Sequence, residues 1–596
     1  MTLKTSSNKP HTAFNLFAFT LKKNLGFTII TSVLVFLFSP IFLINTINNY
    51  YDYRDVTQDI YNFTDEILPA AAVILAVAAM FVAWLLQIIN FNYLNQKSGS
   101  DAFHSMPITK AGLLFSRTAA SYIGGVVPLT IGYIGMACIG ALKHVELDYL
   151  LLGKCYLHTL LMMLFCLAFS QLFILASGCV FDSIISFLAV NIGLPVIILL
   201  IYGLCENTLF GYYVTDYYYL ATYGSPFALS AYSLIMLVLQ EKTTLSLITY
   251  LIIIVATVGL FCINAFVYNI RKSEKAGETF AFRFMPLIIS TILSFVSYFI
   301  FGYIFDEYTG SLIYIIMGII GATLVSLIYN VIVNRGFKRL KKAIIPIAIA
   351  LVLIFGATAS VQFDLMGYES YVPSVDNVEK IYVEFDGDSI AVTNPTDYIY
   401  VTNLHNAVIN AYENNQLNIE EEYIEKTDKN GGTYLILDHA TASSTIEFRY
   451  MLKGGREVNR RYHIPNKLLL EEKLAFTKNC FADGIKKNFM DNIGNVFTLD
   501  GEYGGKQVQL NLTREEALTI VDAYVKDLKN ADEKYFTDNT RVYMWLNSTL
   551  TSKDGIYNRY YSMGIGNFYY FENTKQVLAG LDIENRNVIQ ETDSKF

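Results

Sequence analysis

Residues 67–90 read ILPAAAVILAVAAMFVAWLLQIIN, a stretch without one charged side chain. As a helix rising about 1.5 Å per residue, such a run matches a hydrocarbon core about 30 Å thick. Comparable runs recur at roughly 26–45, 119–142, 156–178, 184–204, 246–269, 284–304, 311–333 and 343–361, and then stop. The first begins late and is long enough to span, so it reads as a span and not as a cleavable signal. Composition agrees: 53% of residues are hydrophobic and 16% charged, against about 25% charged in soluble domains. The expected fold is a polytopic α-helical membrane protein with about nine transmembrane helices, followed by a C-terminal α+β domain.

Charge sets the orientation. With the N-terminus inside, sixteen Lys and Arg lie on inner loops, and only Arg54, Lys143, Lys154 and Lys242 on outer ones. Positive residues favour the cytoplasmic side, so the N-terminus is placed in the cytoplasm, and nine spans put residues 362–596 outside. Two of the outer loops are distinctive. One, 46–66, carries Asp52, Asp55, Asp59, Asp65 and Glu66. The other, 205–244, is rich in tyrosine, as suits an aromatic belt at the interface.

Residues 362–596 carry a soluble pattern. Ile381, Val383 and Phe385 alternate as in a half-buried strand. Asn394-Pro395 predicts a helix start, and Val401, Leu404, Val408 and Tyr412 give that helix one apolar face. Residues 446–452 and 458–464 predict a hairpin turning at Lys453–Arg456. Strands near 496–499 and 508–512 precede a capping box at Thr513–Glu516. Strand-like segments 541–547 and 560–569 and a helix at 573–581 close the chain. Two similar subdomains are expected, about 377–480 and 490–585. The adjacent Arg460 and Arg461 read as a solvated strand face.

Several chemistries have no motif. The seven cysteines form no CxxC pair, and six of them lie in or beside apolar runs, where they act as small apolar fillers. The seven histidines make no chelating pair. There is no GxxxxGK[ST], HExxH or GxSxG; Gly501–Gln507 has the wrong spacing for a phosphate loop. A net charge of −8 without a basic face argues against a nucleic-acid partner. The spans hold almost no ionisable groups, which argues against proton- or sodium-coupled transport. Metal, catalytic and cofactor sites are therefore not expected in this chain.

Two inner segments carry more than loop composition. The first includes Asp101, Phe103, His104, Ser105, Met106 and Pro107; Phe103, Met106 and Ile108 predict an exposed apolar docking surface or else an interfacial helix lying on the headgroups, and Pro107 can open a short helix. The second holds Arg271, Glu274 and Gly277. The stretch Ser98–Arg117, with its core Asp101–Thr109, resembles the cytoplasmic loop of bacterial ABC-2-type transporter permeases, and Arg271–Gly277 resembles the segment after their sixth span. On that resemblance residues 1–283, with an amphipathic stretch at 11–24, form a six-span permease core. Residues 284–361 add three helices, and residues 362–596 form the extracytoplasmic domain of a larger Gram-positive branch.

The resemblance implies a multi-pass protein of the bacterial plasma membrane, a permease for ATP-driven export. A separate ABC ATPase chain would bind ATP and magnesium and dock on the loop 98–117 and the N-terminal helix. The remaining expected partners are membrane lipid and a second permease, either another copy or a sister chain. The substrate is left open. A rival expectation is a sensor that binds a peptide or cell-envelope ligand through its outer domain and transports nothing.

Overall fold

The structure is a computed structural model. It describes residues 9–54, 63–142, 149–215, 217–238, 247–278, 280–282, 284–305, 311–385, 387–417, 423–427, 433–437, 441–503, 506–537, 543–551, 558–566 and 571–581. Two compact units emerge: one from residues 1–204 and 216–359, the other from residues 205–215 and 360–596.

The first unit is helical: α1 (Lys9–Arg54), α2 (Phe63–Phe91), α3 (Lys97–His104), α4 (Lys110–Leu142), α5 (Tyr149–Ala176), α6 (Val180–Thr208), α7 (Tyr217–Thr222), α8 (Pro226–Val238), α9 (Leu247–Ile270), α10 (Met285–Phe305), α11 (Leu312–Val333) and α12 (Ile344–Gln362). Among the described residues nine helices are long and apolar enough to cross a membrane. Side chains facing lipid need not be buried, so the spans show broad exposed apolar faces. Their buried stripes carry small and polar residues instead. On α1 the stripe is Leu16, Thr20, Asn24, Thr28, Ser32 and Val35, packed along α4. On α4, a Cβ at Gly132 would stand 2.3 Å from the Leu75 side chain of α2, so any larger residue there would force Leu75 to move.

Several expectations change here. The amphipathic stretch 11–24 and the first span form one continuous helix, and the expected loop 46–66 is helical over 46–54 and 63–66; Asp55 and Asp59 lie outside the described residues. So do Lys4, Lys143, Lys242 and Arg283 among the basic residues counted above. The expected loop 205–244 contains α7 and α8. In α8, Leu234 is 1% exposed, and the helix packs against α2 and α5. Its thirteen residues are too few to span, so a search for full spans passes over it.

The second unit holds two four-stranded sheets. The first is built from β1 (Val378–Phe385), β2 (Asp388–Val392), β5 (Ser443–Leu452) and β6 (Glu457–Pro465), with a separate hairpin of β3 (Tyr423–Thr427) and β4 (Thr433–Leu437). The second is built from β7 (Val496–Tyr503), β8 (Lys506–Leu512), β9 (Tyr543–Thr551) and β10 (Asn558–Gly566). The orders are β2-β1-β5-β6 and β8-β7-β9-β10, antiparallel throughout. Each is therefore two hairpins joined through their first strands. A helix links the hairpins in each case, α13 (Tyr398–Glu413) or α16 (Arg514–Lys529). Helices α14 (Leu470–Phe476) and α15 (Ala482–Asp491) follow the first sheet; α17 (Lys534–Thr537) precedes β9, and α18 (Glu572–Gly580) follows the second. One continuous apolar core, including Phe385, Phe448, Phe497 and Leu546, serves both sheets.

The hairpin at Lys453–Arg456 and the Thr513–Glu516 capping box form as read. Helix α13 instead starts at Tyr398, because Asn394–Asp397 makes a turn, with Asp397 N bonded to Asn394 O at 3.0 Å. Of the described strand residues near 541–547, the first is Tyr543. Arg460 is not on a solvated face. It is 2% exposed, lies 3.6 Å over the Tyr368 ring and donates to the Tyr368 carbonyl at 3.0 Å. Arg461 pairs with Glu447.

Candidate functional site

The two segments singled out in sequence meet in the first unit. After α2 the chain makes a short helical turn at Asn92–Asn95, runs through α3, turns at 105–109 and begins α4. Pro107 opens no helix: α4 begins at Lys110, and Thr109 Oγ1 accepts from Gly112 N at 3.1 Å, because a hydroxyl just before the first turn satisfies an orphan amide.

Arg117, about two turns into α4, lies between two rings. Its guanidinium is 4.4 Å from the Tyr93 centroid and 4.2 Å from that of Phe103, and it donates to the Asn90 carbonyl. Phe103 is thereby half-buried against Arg117 and Tyr93, whose ring lies 4.8 Å away. Ile108 is half-buried as well. Of the three apolar residues expected to face out, only Met106 is exposed. A ring over a buried cation is worth about 2 kcal/mol, and that attraction draws Phe103 inward.

Arg271, just past α9, is 6% exposed. Its Nη1 donates to the carbonyls of Leu175 (2.5 Å), Ser177 (2.7 Å) and Ile174 (3.3 Å), and its Nη2 to that of Leu94 at 2.9 Å. The α5 carbonyls are the unpaired acceptors at a helix C-terminus, where a cation is favoured. One side chain thus ties together the ends of α2, α5 and α9. Burial lowers its pKa to about 10, so it stays a cation at neutral pH. Among the described residues neither Arg117 nor Arg271 has a carboxylate partner.

Hydroxyls connect the cations to the loop. Tyr93 and Tyr268 share a hydrogen bond of 2.8 Å, and His104 Nε2 lies 3.1 Å from Tyr268 Oη. Burial first, then the neighbouring Lys110, pushes the His104 pKa down, so the imidazole is neutral at neutral pH. Lys110 Nζ donates to the Asn269 carbonyl at 3.0 Å.

The second segment is held by its backbone. Gly277 N donates to Gly178 O and Ala281 N to Ala176 O, each at 2.9 Å. A Cβ on Gly178 would stand 2.0 Å from Glu278 O. Arg335, after α11, reaches the Gly277 carbonyl at 3.3 Å. Glu274 is exposed, as are Asp101, Ser105 and Pro107. The residues named from sequence therefore divide in two: Phe103, His104 and Arg271 lie inside the cluster, while Asp101, Ser105, Met106, Pro107, Glu274 and Gly277 are exposed.

Sequence reading missed Tyr93 and the roles of Tyr268 and Arg117, since an aromatic or basic residue at a span end reads as an ordinary flank. It also missed a band of amides between the spans. Asn24 donates to Asn90 (3.0 Å), Asn90 to Ser121 (2.9 Å), Gln171 to Thr118 (2.6 Å) and Asn264 to the Ala168 carbonyl (2.7 Å). Scanning the apolar runs for Asn and Gln would have found it.

No protein family, no curated protein and no solved structure matches the chain.

Proposed function

We propose that this chain is the permease subunit of an ATP-driven transporter of the bacterial plasma membrane, working as an exporter with a separate cytoplasmic ABC ATPase. One observation carries the reading: the outward-facing turn Asp101–Pro107 is wired through Phe103, His104 and Arg117 to Arg271, which joins three span ends. A push on the turn thus reaches α2, α4, α5 and α9 together. Such a junction suits a part that receives force from a neighbour, as the resemblance of both segments to ABC-2-type permeases implies.

Counting the spans supports a topology for this reading. Leu94, Ser177, Gly277 and Arg335 are bonded neighbours, so α2, α5, α9 and α11 end on one side. An even number of spans separates each from the next. Placing that side in the cytoplasm, by the excess of Lys and Arg, puts the N-terminus inside and residues 362–596 outside. In this reading a second permease copy or a sister chain completes the pathway.

Purification of the tagged full chain from its host in mild detergent tests the proposal. A co-purifying protein with a Walker A motif, lost from Met106→Asp and retained by Lys453→Asp, is the expected result. Absence of any ATPase from the wild-type sample would sink it. A sensor remains the second reading, favoured by a crevice of about 400 Å³ lined by Phe210, Tyr213, Tyr412, Arg461 and His463 in the second unit. Ligand binding there without vesicle transport would decide for the sensor.

A further inference from the structure

The three most exposed large apolar side chains described in the second unit fall within four residues: Phe363 (72%), Leu365 (72%) and Met366 (87%). No other large apolar residue described there exceeds the 54% of Ile399. The segment is firmly held. The Asp364 carboxylate accepts from Tyr368 N (2.7 Å) and Glu369 N (2.8 Å). Tyr368 Oη donates to the Asn459 carbonyl at 3.2 Å. The three side chains are thus displayed by a braced turn.

Two connections fix the level of that turn. Leu365 N donates to Ser360 O at 3.0 Å and Asp364 N to Val361 O at 3.1 Å, so the turn folds back onto the last turn of the span that ends at Gln362. Glu369 Oε1 accepts from Phe210 N at 2.8 Å, and Phe210 lies two residues past the span ending at Thr208. Two spans therefore end at this corner. Tyr212 packs on Tyr368 at 5.3 Å between centroids, with Tyr213 and Tyr371 nearby in sequence. Tyrosines concentrate where a protein crosses the headgroup layer.

We infer that Phe363, Leu365 and Met366 insert into the headgroup–acyl boundary of the leaflet at which α6 and α12 end, as a lipid anchor for the second unit. Apolar side chains at the level of a span end meet acyl chains within 5–10 Å of the headgroups, the depth at which interfacial apolar faces bury. The inference rests on the membrane-spanning character of the chain and not on any ATPase, so it can fail while the transporter reading stands, and the reverse.

Depth-dependent quenching tests it. Met366→Trp and, as a control, Lys453→Trp at an exposed hairpin tip are made in the full chain. Each is reconstituted in phosphatidylcholine–phosphatidylglycerol vesicles, and the wild-type emission is subtracted. For Met366→Trp, lipids brominated near the headgroup should at least halve the added emission, and acrylamide should quench it several-fold less than the control. Control-like acrylamide quenching without bromolipid quenching would place the turn in water and overturn the anchor. Protection from both quenchers would show a covering protein surface and overturn it equally.

Discussion

Arg271 shows how much one side chain can carry at a span end. Leaving its carbonyl partners unpaired should cost about 3 kcal/mol, the scale of hydrogen bonds to a charged group. Arg271→Gln is therefore expected to lower the thermal denaturation midpoint in detergent. Arg271→Lys should recover only part, since a point charge cannot serve Leu94 and Ser177 at once as the planar fork does. An unchanged midpoint in Arg271→Gln would refute the stapling role. His405 offers a second residue-scale test. It is fully buried between the hydroxyls of Tyr450 and Tyr462, each at 2.8 Å. Burial, with Arg460 nearby, lowers its pKa to about 3. The unfolded chain takes up a proton near pH 6.5 that the folded chain refuses. The stability this neutral group contributes is complete above about pH 6.5 and is lost as pH falls from there towards 3, by roughly 1.4 kcal/mol per pH unit. His405→Gln should flatten the acid side of the stability curve between pH 6.5 and 4, read by denaturation at stepped pH; equal slopes would refute it. At this scale the sequence was half legible. His104 and Arg271 were visible as unusual loop residues, but which side of each loop is inner depends on Tyr93 and Tyr268, whose partners are distant in the chain.

At the scale of elements, close backbone approach sets the tests. Gly211 has φ +72°, and a Cβ there would stand 2.2 Å from the Tyr462 ring. Gly211→Ala should cost about 1–2 kcal/mol from the left-handed backbone alone. Because Arg461 N donates to Gly211 O at 3.3 Å, hydrogen exchange at Arg461 should rise more than ten-fold; unchanged exchange would show that the segment tolerates the methyl group. Removing the α16 cap with Thr513→Ala should cost about 1 kcal/mol, measurable as a lower urea midpoint. Elements were legible where one local rule decides them. The spans show as long uncharged runs, β5 and β6 as alternation around a Gly-Gly turn, and α16 by its capping box. Helix α8 and the inserted hairpin β3–β4 were not, since a thirteen-residue apolar helix and short mixed strands form only against neighbours.

For the whole molecule, the decisive quantity is the parity of crossings. Lys272→Cys and Lys453→Cys should label with a membrane-impermeant maleimide from opposite faces of the membrane, the natural cysteines giving the baseline. Labelling of both in intact cells, or of neither until the cells are opened, would mean that the number of spans between them is even, and the second outcome would move residues 362–596 inside. The division of the chain was nearly legible: a change of composition after residue 361 marks where the second unit begins, and the structure draws the line at Ser360. What composition could not reveal is that residues 205–215 belong to that unit too, because their membership rests on a two-residue bridge, Tyr212 to Arg460, and on the Phe210 ring lying 3.9 Å from that of Tyr412.

That split membership bears on how the unit could be produced by itself. A secreted fragment beginning at Ser360 would lack the peptide that covers Tyr412, Tyr462 and the rim of β6, and would present a raw strand edge open to pairing with its own copies. The cure is a fusion that carries residues 205–215 on a flexible leader, or the free peptide added in trans. The natural chain solves the same problem by carrying this peptide between two of its apolar helices, so that the β6 edge is completed by material made about 250 residues earlier, Tyr212 bridging to Arg460.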